Sequence, residues 1–164
     1  MGRHHLEAVA NLEQATGVLA VQPESRVTLE QAFNIRLELR TALNLLGDGR
    51  RMLQCLREGE ALAERLNDDR RRGRVCAFLT NTHSMLGELD AALASGGRAM
   101  DIVHRLGDVD LRTVNACYLV QAHFLRGDYE RTVELAIGNI AALPIDRMDD
   151  FFGMGVLPAV WDRS

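Results

Sequence analysis

His83 and His123 stand forty residues apart, and three cysteines, Cys55, Cys76 and Cys117, accompany them. Imidazole and thiolate are the ligands zinc prefers, but a structural zinc site needs four such donors converging on one point. The cysteines are odd in number and none is paired as CxxC, so they indicate neither a disulfide framework nor a zinc site. Three small buried thiols on helices are expected instead. The two histidines, one helix pair apart after stacking, would lie about 10 Å from each other, too far to share a metal without further donors. His4 and His5 precede a helix and read as solvated. We expect no metal and no cofactor.

Catalysis finds little to work with. No carboxylate pair, Ser-His-Asp order or Gly-rich phosphate loop stands out. The chain contains no lysine, so all 19 of its basic residues are arginine. A Walker A loop, a Schiff-base nucleophile and a kinase-type ATP site each require lysine and are excluded. The expectation is a protein that is not an enzyme. The dense basic run "DDRRRGRV", Asp68 to Val75, opens on two aspartates, lacks interleaved aromatics and belongs to a chain of net charge −4. It reads as solvated charge between repeats, with no nucleic acid as partner.

Arg126-Gly127-Asp128 spells the tripeptide by which matrix proteins engage integrins. That recognition needs an exposed loop tip on a secreted protein, and "MGRHHLEAVA" has no apolar h-region of a secretory signal. No apolar run approaches the ~18 to 20 residues of a membrane span. A cytoplasmic location and no membrane partner are expected. At 47% hydrophobic and 26% charged residues, the 164-residue chain is composed like one ordinary globular domain.

The tripeptide has two sisters. "LLGDG" from Leu45, "MLGEL" from Met85 and "LRGDY" from Leu125 place Gly47, Gly87 and Gly127 at intervals of 40. The interval holds elsewhere: Leu39, Leu79 and Leu119; Leu53, Leu93 and Val133; Leu62, Ile102 and Ala142; Leu66-Asn67-Asp68 and Leu106-Gly107-Asp108. Each repeat reads as two helices. Leu39, Leu43 and Leu46 fall at helical spacing before the glycine, and Val133, Ala136, Ile137, Ile140 and Leu143 form a stripe after it. Each glycine sits where a helix must stop in positive φ, and Asp48, Glu88 or Asp128 suits the start of the next helix.

The expected fold is all-α, an α-α superhelix of antiparallel helix pairs with helices at 6–21, 27–46, 49–66, 69–86, 89–106, 109–126 and 129–143. Thr28 and Gln31 would form a capping box opening the second helix. Pro23 and Pro144 lie just beyond helix ends. A lone helix pair cannot bury its stripe, so consecutive pairs must stack as a solenoid.

With the turn fixed, the pattern resembles the tetratricopeptide repeat. The helix A leucine is Leu39, Leu79 and Leu119, and the turn glycine is Gly47, Gly87 and Gly127. The first small position of helix B is Ala92 in the second repeat, replaced by Met52 and Thr132 in the others; the second is Gly59, Ala99 and Asn139. The glycine usual after the helix A leucine is replaced by Arg40, Thr80 and Val120, so looser packing is expected there. The period of 40 exceeds the family's ~34. "NIRLELRTALNLLGD" and "LPAVWDRS" resemble the C-terminal arrays of large bacterial signalling proteins with a cyclase or ATPase domain upstream.

On this reading residues 1–164 form one domain: 1–24 is helix B of a truncated repeat, 25–66, 67–106 and 107–144 are repeats one to three, and 145–164 opens a further repeat or caps the array. The apolar tail from Asp149 to Trp161 would pack on the last repeat, or occupy the groove as a pseudo-ligand. The chain is expected to be a piece of a longer protein, whose exposed terminal helices would favour a homo-oligomer.

In this family helix A lines the concave surface and carries ligand contacts. The resemblance therefore implies Asn34, Leu37, Thr41 and Asn44 in the first repeat, Arg74, Ala77, Asn81 and Ser84 in the second, and Val114, Cys117, Gln121 and Phe124 in the third. The slot Thr41, Asn81, Gln121 is polar throughout, as suits a groove that hydrogen-bonds an extended peptide. The missing lysine argues against the Lys/Asn carboxylate clamp of some members. A module binding a protein or peptide is the leading expectation. A sensor whose groove takes a small effector and changes curvature is the alternative, and a structural spacer the third.

Overall fold

A computed structural model describes residues 2–143, 145–147 and 150. These residues are all-α: α1 (Gly2–Ala20), α2 (Arg26–Leu46), α3 (Gly49–Arg65), α4 (Asp69–Met85), α5 (Leu89–Leu106), α6 (Val109–Arg126) and α7 (Tyr129–Ala142), followed by a 3-10 turn, Ile145–Arg147. The readings of Pro144 and of the tail from Asp149 to Trp161, Asp150 apart, lie outside the described residues. Contacts divide the chain into two compact units, Met1–Val75 and Cys76–Ser164, the division falling within α4.

The turns form as their sequences dictate. Gly47, Gly87 and Gly127 adopt φ of 71°, 75° and 84°, a conformation that costs any residue with a Cβ. Asn67 takes the same role with φ 50° at the junction where the next repeat has Gly107, and asparagine tolerates that conformation better than other side chains. Asp48 and Asp128 then accept hydrogen bonds from the Arg51 and Arg131 amides. Glu88 does not cap its helix. Its longer side chain instead reaches back to His83 Nδ1 at 2.7 Å, as Asp128 Oδ2 reaches His123 Nδ1 at 3.1 Å. The two histidines are thus latches on their own turns.

The start of α2 also differs from expectation. The capping box pairs Ser25 with Thr28, not Thr28 with Gln31: the Thr28 amide donates to Ser25 Oγ at 3.1 Å and the Ser25 amide to Thr28 Oγ1 at 2.8 Å. The helix therefore begins one residue earlier than its apolar stripe suggested.

In the first unit α2 packs between α1 and α3. Its core joins Val9, Leu39, Leu43, Met52 and Cys55, with Leu12 and Leu46 against them. The basic run at the start of α4 is engaged locally. Arg71 bonds Asp68 and lies over the Phe33 ring, 5.5 Å from its centroid, and Arg72 pairs with Asp69 at 2.8 Å.

In the second unit α6 packs on both α5 and α7. Its residues from Thr113 to Val120 are all buried. Loose packing is expected around Thr80, but the contact there is close: a Cβ added at Gly96 would lie 3.3 Å from Thr80 Oγ1 and 2.3 Å from Leu119 Cδ2. The absent side chain has moved to the facing helix. Asn115 donates to the Gly96 carbonyl at 2.9 Å, and Asn139 to the Thr113 carbonyl at 3.4 Å, so α6 is tied by carboxamides to both neighbours. All three cysteines are buried and none is in a disulfide.

Candidate functional site

The slots assigned to the helix A face separate by burial. Leu37, Ala77 and Cys117 occupy one slot and all are buried. A residue there meets the neighbouring helices, so these three are core and not ligand contacts. Ser84 is buried too, its hydroxyl returned to the Thr80 carbonyl at 2.8 Å, and Val114 is buried with it. Asn34, Thr41, Asn44, Arg74 and Phe124 are exposed. Thr41 turns its hydroxyl to the Leu37 carbonyl at 3.0 Å, and Phe124 packs edge-on against Tyr129 with ring centroids 5.7 Å apart.

Asn81 and Gln121, from the slot that is polar in every repeat, come together. Asn81 Nδ2 donates to Gln121 Oε1 at 3.0 Å. Asn81 is buried and Gln121 half-buried, so the pair forms a carboxamide step from α4 to α6 within the second unit.

Asn34 belongs to a different feature, an open groove of about 610 Å3 along the α1 and α2 surfaces. Ala15, Val18, Leu19 and Ile35 give it an aliphatic floor, while Asn11, Gln14, Gln31 and Asn34 supply four carboxamides. Each carboxamide presents donor and acceptor together, the combination a peptide backbone can pair with. Asn11 and Gln14 are absent from the expected face because they lie on α1, outside the helices A, and Gln31 because it lies one turn before the first slot of its own helix, Asn34. The signal was the recurrence of Asn and Gln at helical spacing on both α1 and α2.

Among the described residues no group of three or more His, Cys, Asp or Glu is placed to hold a metal ion. No helix among them is long and apolar enough to cross a membrane. No family model matches the chain, and no curated protein matches it.

Proposed function

We propose that the chain is a non-catalytic interaction module of the tetratricopeptide type, taking an extended peptide or protein segment along its polar helix faces. The open carboxamide-lined groove carries this reading. Its amides can pair with a backbone while the aliphatic floor accepts alternate side chains. The repeat type draws support from paired helices joined by positive-φ glycines at 40-residue intervals, and from Gly59 and Ala99, both buried at the second small position of helix B. A cytoplasmic place within a larger bacterial signalling or regulatory protein belongs to the same reading.

The test is a pull-down with quantitative mass spectrometry, comparing the wild-type chain with Gln31→Ala plus Asn34→Ala and, separately, Asn81→Ala plus Gln121→Ala. Loss of a shared set of partners from the first variant supports the groove as the docking surface. Equal recovery of every partner by all three chains sinks it and leaves a structural spacer.

A further inference from the structure

A second cleft, of about 400 Å3, opens on another flank of α2. It uses Thr28, Leu29, Ala32 and Arg36, whereas the groove uses Gln31, Asn34 and Ile35. At 100° per residue these sets are about a third of a turn apart on the helix. Arg36 is the central side chain, only 16% exposed, and it links three helices. Its Nε donates to Glu58 of α3, and its Nη1 donates to Thr16 Oγ1 of α1 at 2.6 Å. The other terminal nitrogen, Nη2, has no protein partner among the described residues. Arg65 and Glu24, 49% and 64% exposed, form a second ion pair on the lining.

The repeat itself shows that packing does not require these charges. Eighty residues on, the positions of Thr16, Arg36 and Glu58 are held by Gly96, Ala116 and Gly138, and the fold there does without them. Burial of Arg36 gives up hydration that attraction to the 40% exposed Glu58 carboxylate recovers only in part. The position of Ala32 is held by Arg112, whose Nη2 donates to the Ala142 carbonyl at 2.8 Å, Ala142 being the counterpart of Leu62. In the second unit a long side chain crosses this space. In the first, alanine leaves it open and charge is set beside it.

The geometry points to a binding site for a small zwitterion of the α-amino-acid class with an aliphatic side chain. Arg36 Nη2 offers two unused donors to a carboxylate, in the geometry guanidinium suits. Glu58 Oε1, which accepts from Gln54 Nε2 at 3.1 Å, and the Glu24 carboxylate keep further lone pairs for an ammonium. Leu19, Leu29, Ala61 and Leu62 give the remaining wall an aliphatic character. Two arginines and two glutamates sum to zero, so a net-neutral dipolar ligand leaves the cleft balanced where a simple anion would face Glu58 uncompensated. The volume falls in the range of small-molecule sites.

The experiment titrates the full chain with L-leucine, followed by calorimetry and by amide shifts around Thr16, Arg36 and Ala61. Saturable binding is expected, weakened about tenfold or more in Arg36→Met and in Ala32→Arg, which imports the plug the second unit already carries. The second variant fills open space and keeps the assignment testable if Arg36→Met loosens the fold, as far-UV circular dichroism would show. Leucine shorn of its ammonium, 4-methylpentanoate, and leucine shorn of its carboxylate, 3-methylbutylamine, should each bind at least about tenfold more weakly. No saturable response to leucine at millimolar concentration overturns the site, as does undiminished binding by folded Ala32→Arg. Equal affinity for 4-methylpentanoate overturns the zwitterion.

Discussion

Asn81 and Gln121, forty residues apart in the chain, are hydrogen-bonded side chain to side chain at 3.0 Å. The bond repeats the sequence period in space, because the same slot of two successive helices A has come into register. It should therefore behave as a coupled pair. Asn81→Ala and Gln121→Ala are each expected to lower stability by about 0.5–1.5 kcal/mol. The double variant should cost less than the sum, by ~0.5 kcal/mol or more, in urea denaturation followed by circular dichroism. Strict additivity would show that the two do not interact in solution.

Gly96 and Gly97 are adjacent in α5 but should answer oppositely to alanine. A Cβ at Gly96 would meet Leu119 Cδ2 at 2.3 Å and Cγ at 2.8 Å, while at Gly97 nothing lies within 4 Å. Gly97→Ala is expected to stabilise by about 0.4–1 kcal/mol through the unfolded chain. Gly96→Ala should destabilise by about 1 kcal/mol, overpacking exceeding the gain in helix propensity. Pairing it with Leu119→Ala should recover part of that loss relative to additivity. Thermal melts of the four variants decide it.

Asp68 links sequence to acid stability. Burial pushes its carboxyl up, but hydrogen bonds from the Arg71 amide and guanidinium, with the charge of Arg71, together outweigh burial and hold it below the usual carboxylate range. A folded-state value below the unfolded value of about 3.9 means the stabilisation is complete above that pH. It is lost as pH falls through the folded value. Asp68→Ala should cost about 1 kcal/mol at pH 7, and the gap to wild type should shrink in acid. A gap that stays constant from pH 7 to pH 3 would show that the carboxylate charge contributes nothing.

Tyr129, Val133 and Ile137 are 62%, 57% and 63% exposed at four-residue spacing on α7. Such a stripe normally faces another surface. Concentration-dependent self-association is expected by sedimentation or light scattering, and Val133→Glu plus Ile137→Glu should abolish it while preserving helix content. A strictly monomeric wild type would refute the expectation.

The architecture was legible because backbone geometry forces its residues. A helix that must reverse within two residues needs positive φ, glycine meets that need cheaply, and three such glycines at one interval index seven helices. What lay beyond the period was harder to read. Glu88 looked equivalent to Asp48 and Asp128, but it keeps only the bond to its turn histidine and gives up the cap, whereas Asp128 makes both. Leu37, Ala77 and Cys117 were assigned to a ligand face by position, although their apolar character already indicated core. Asn11, Gln14 and Gln31 recur at helical spacing in the sequence, but that they line one groove with Asn34 follows only from the packing of α1 on α2. Arg36 was visible as a departure from Cys76 and Ala116 at the same phase, a sign that carries meaning once Thr16 and Glu58 are known to reach it.

The buried thiols give the two units separate clocks. Cys55 lies in the first unit, and Cys76 and Cys117 in the second. Burial, with Glu58 next, raises the Cys55 thiol above its ordinary value and keeps it protonated and unreactive at neutral pH. A thiol reagent can modify these positions only when the surrounding helices open. The labelling rate of each cysteine, resolved by peptide mass, would thus report the opening equilibrium of its own unit, in a chain whose lack of lysine defeats most amine chemistry.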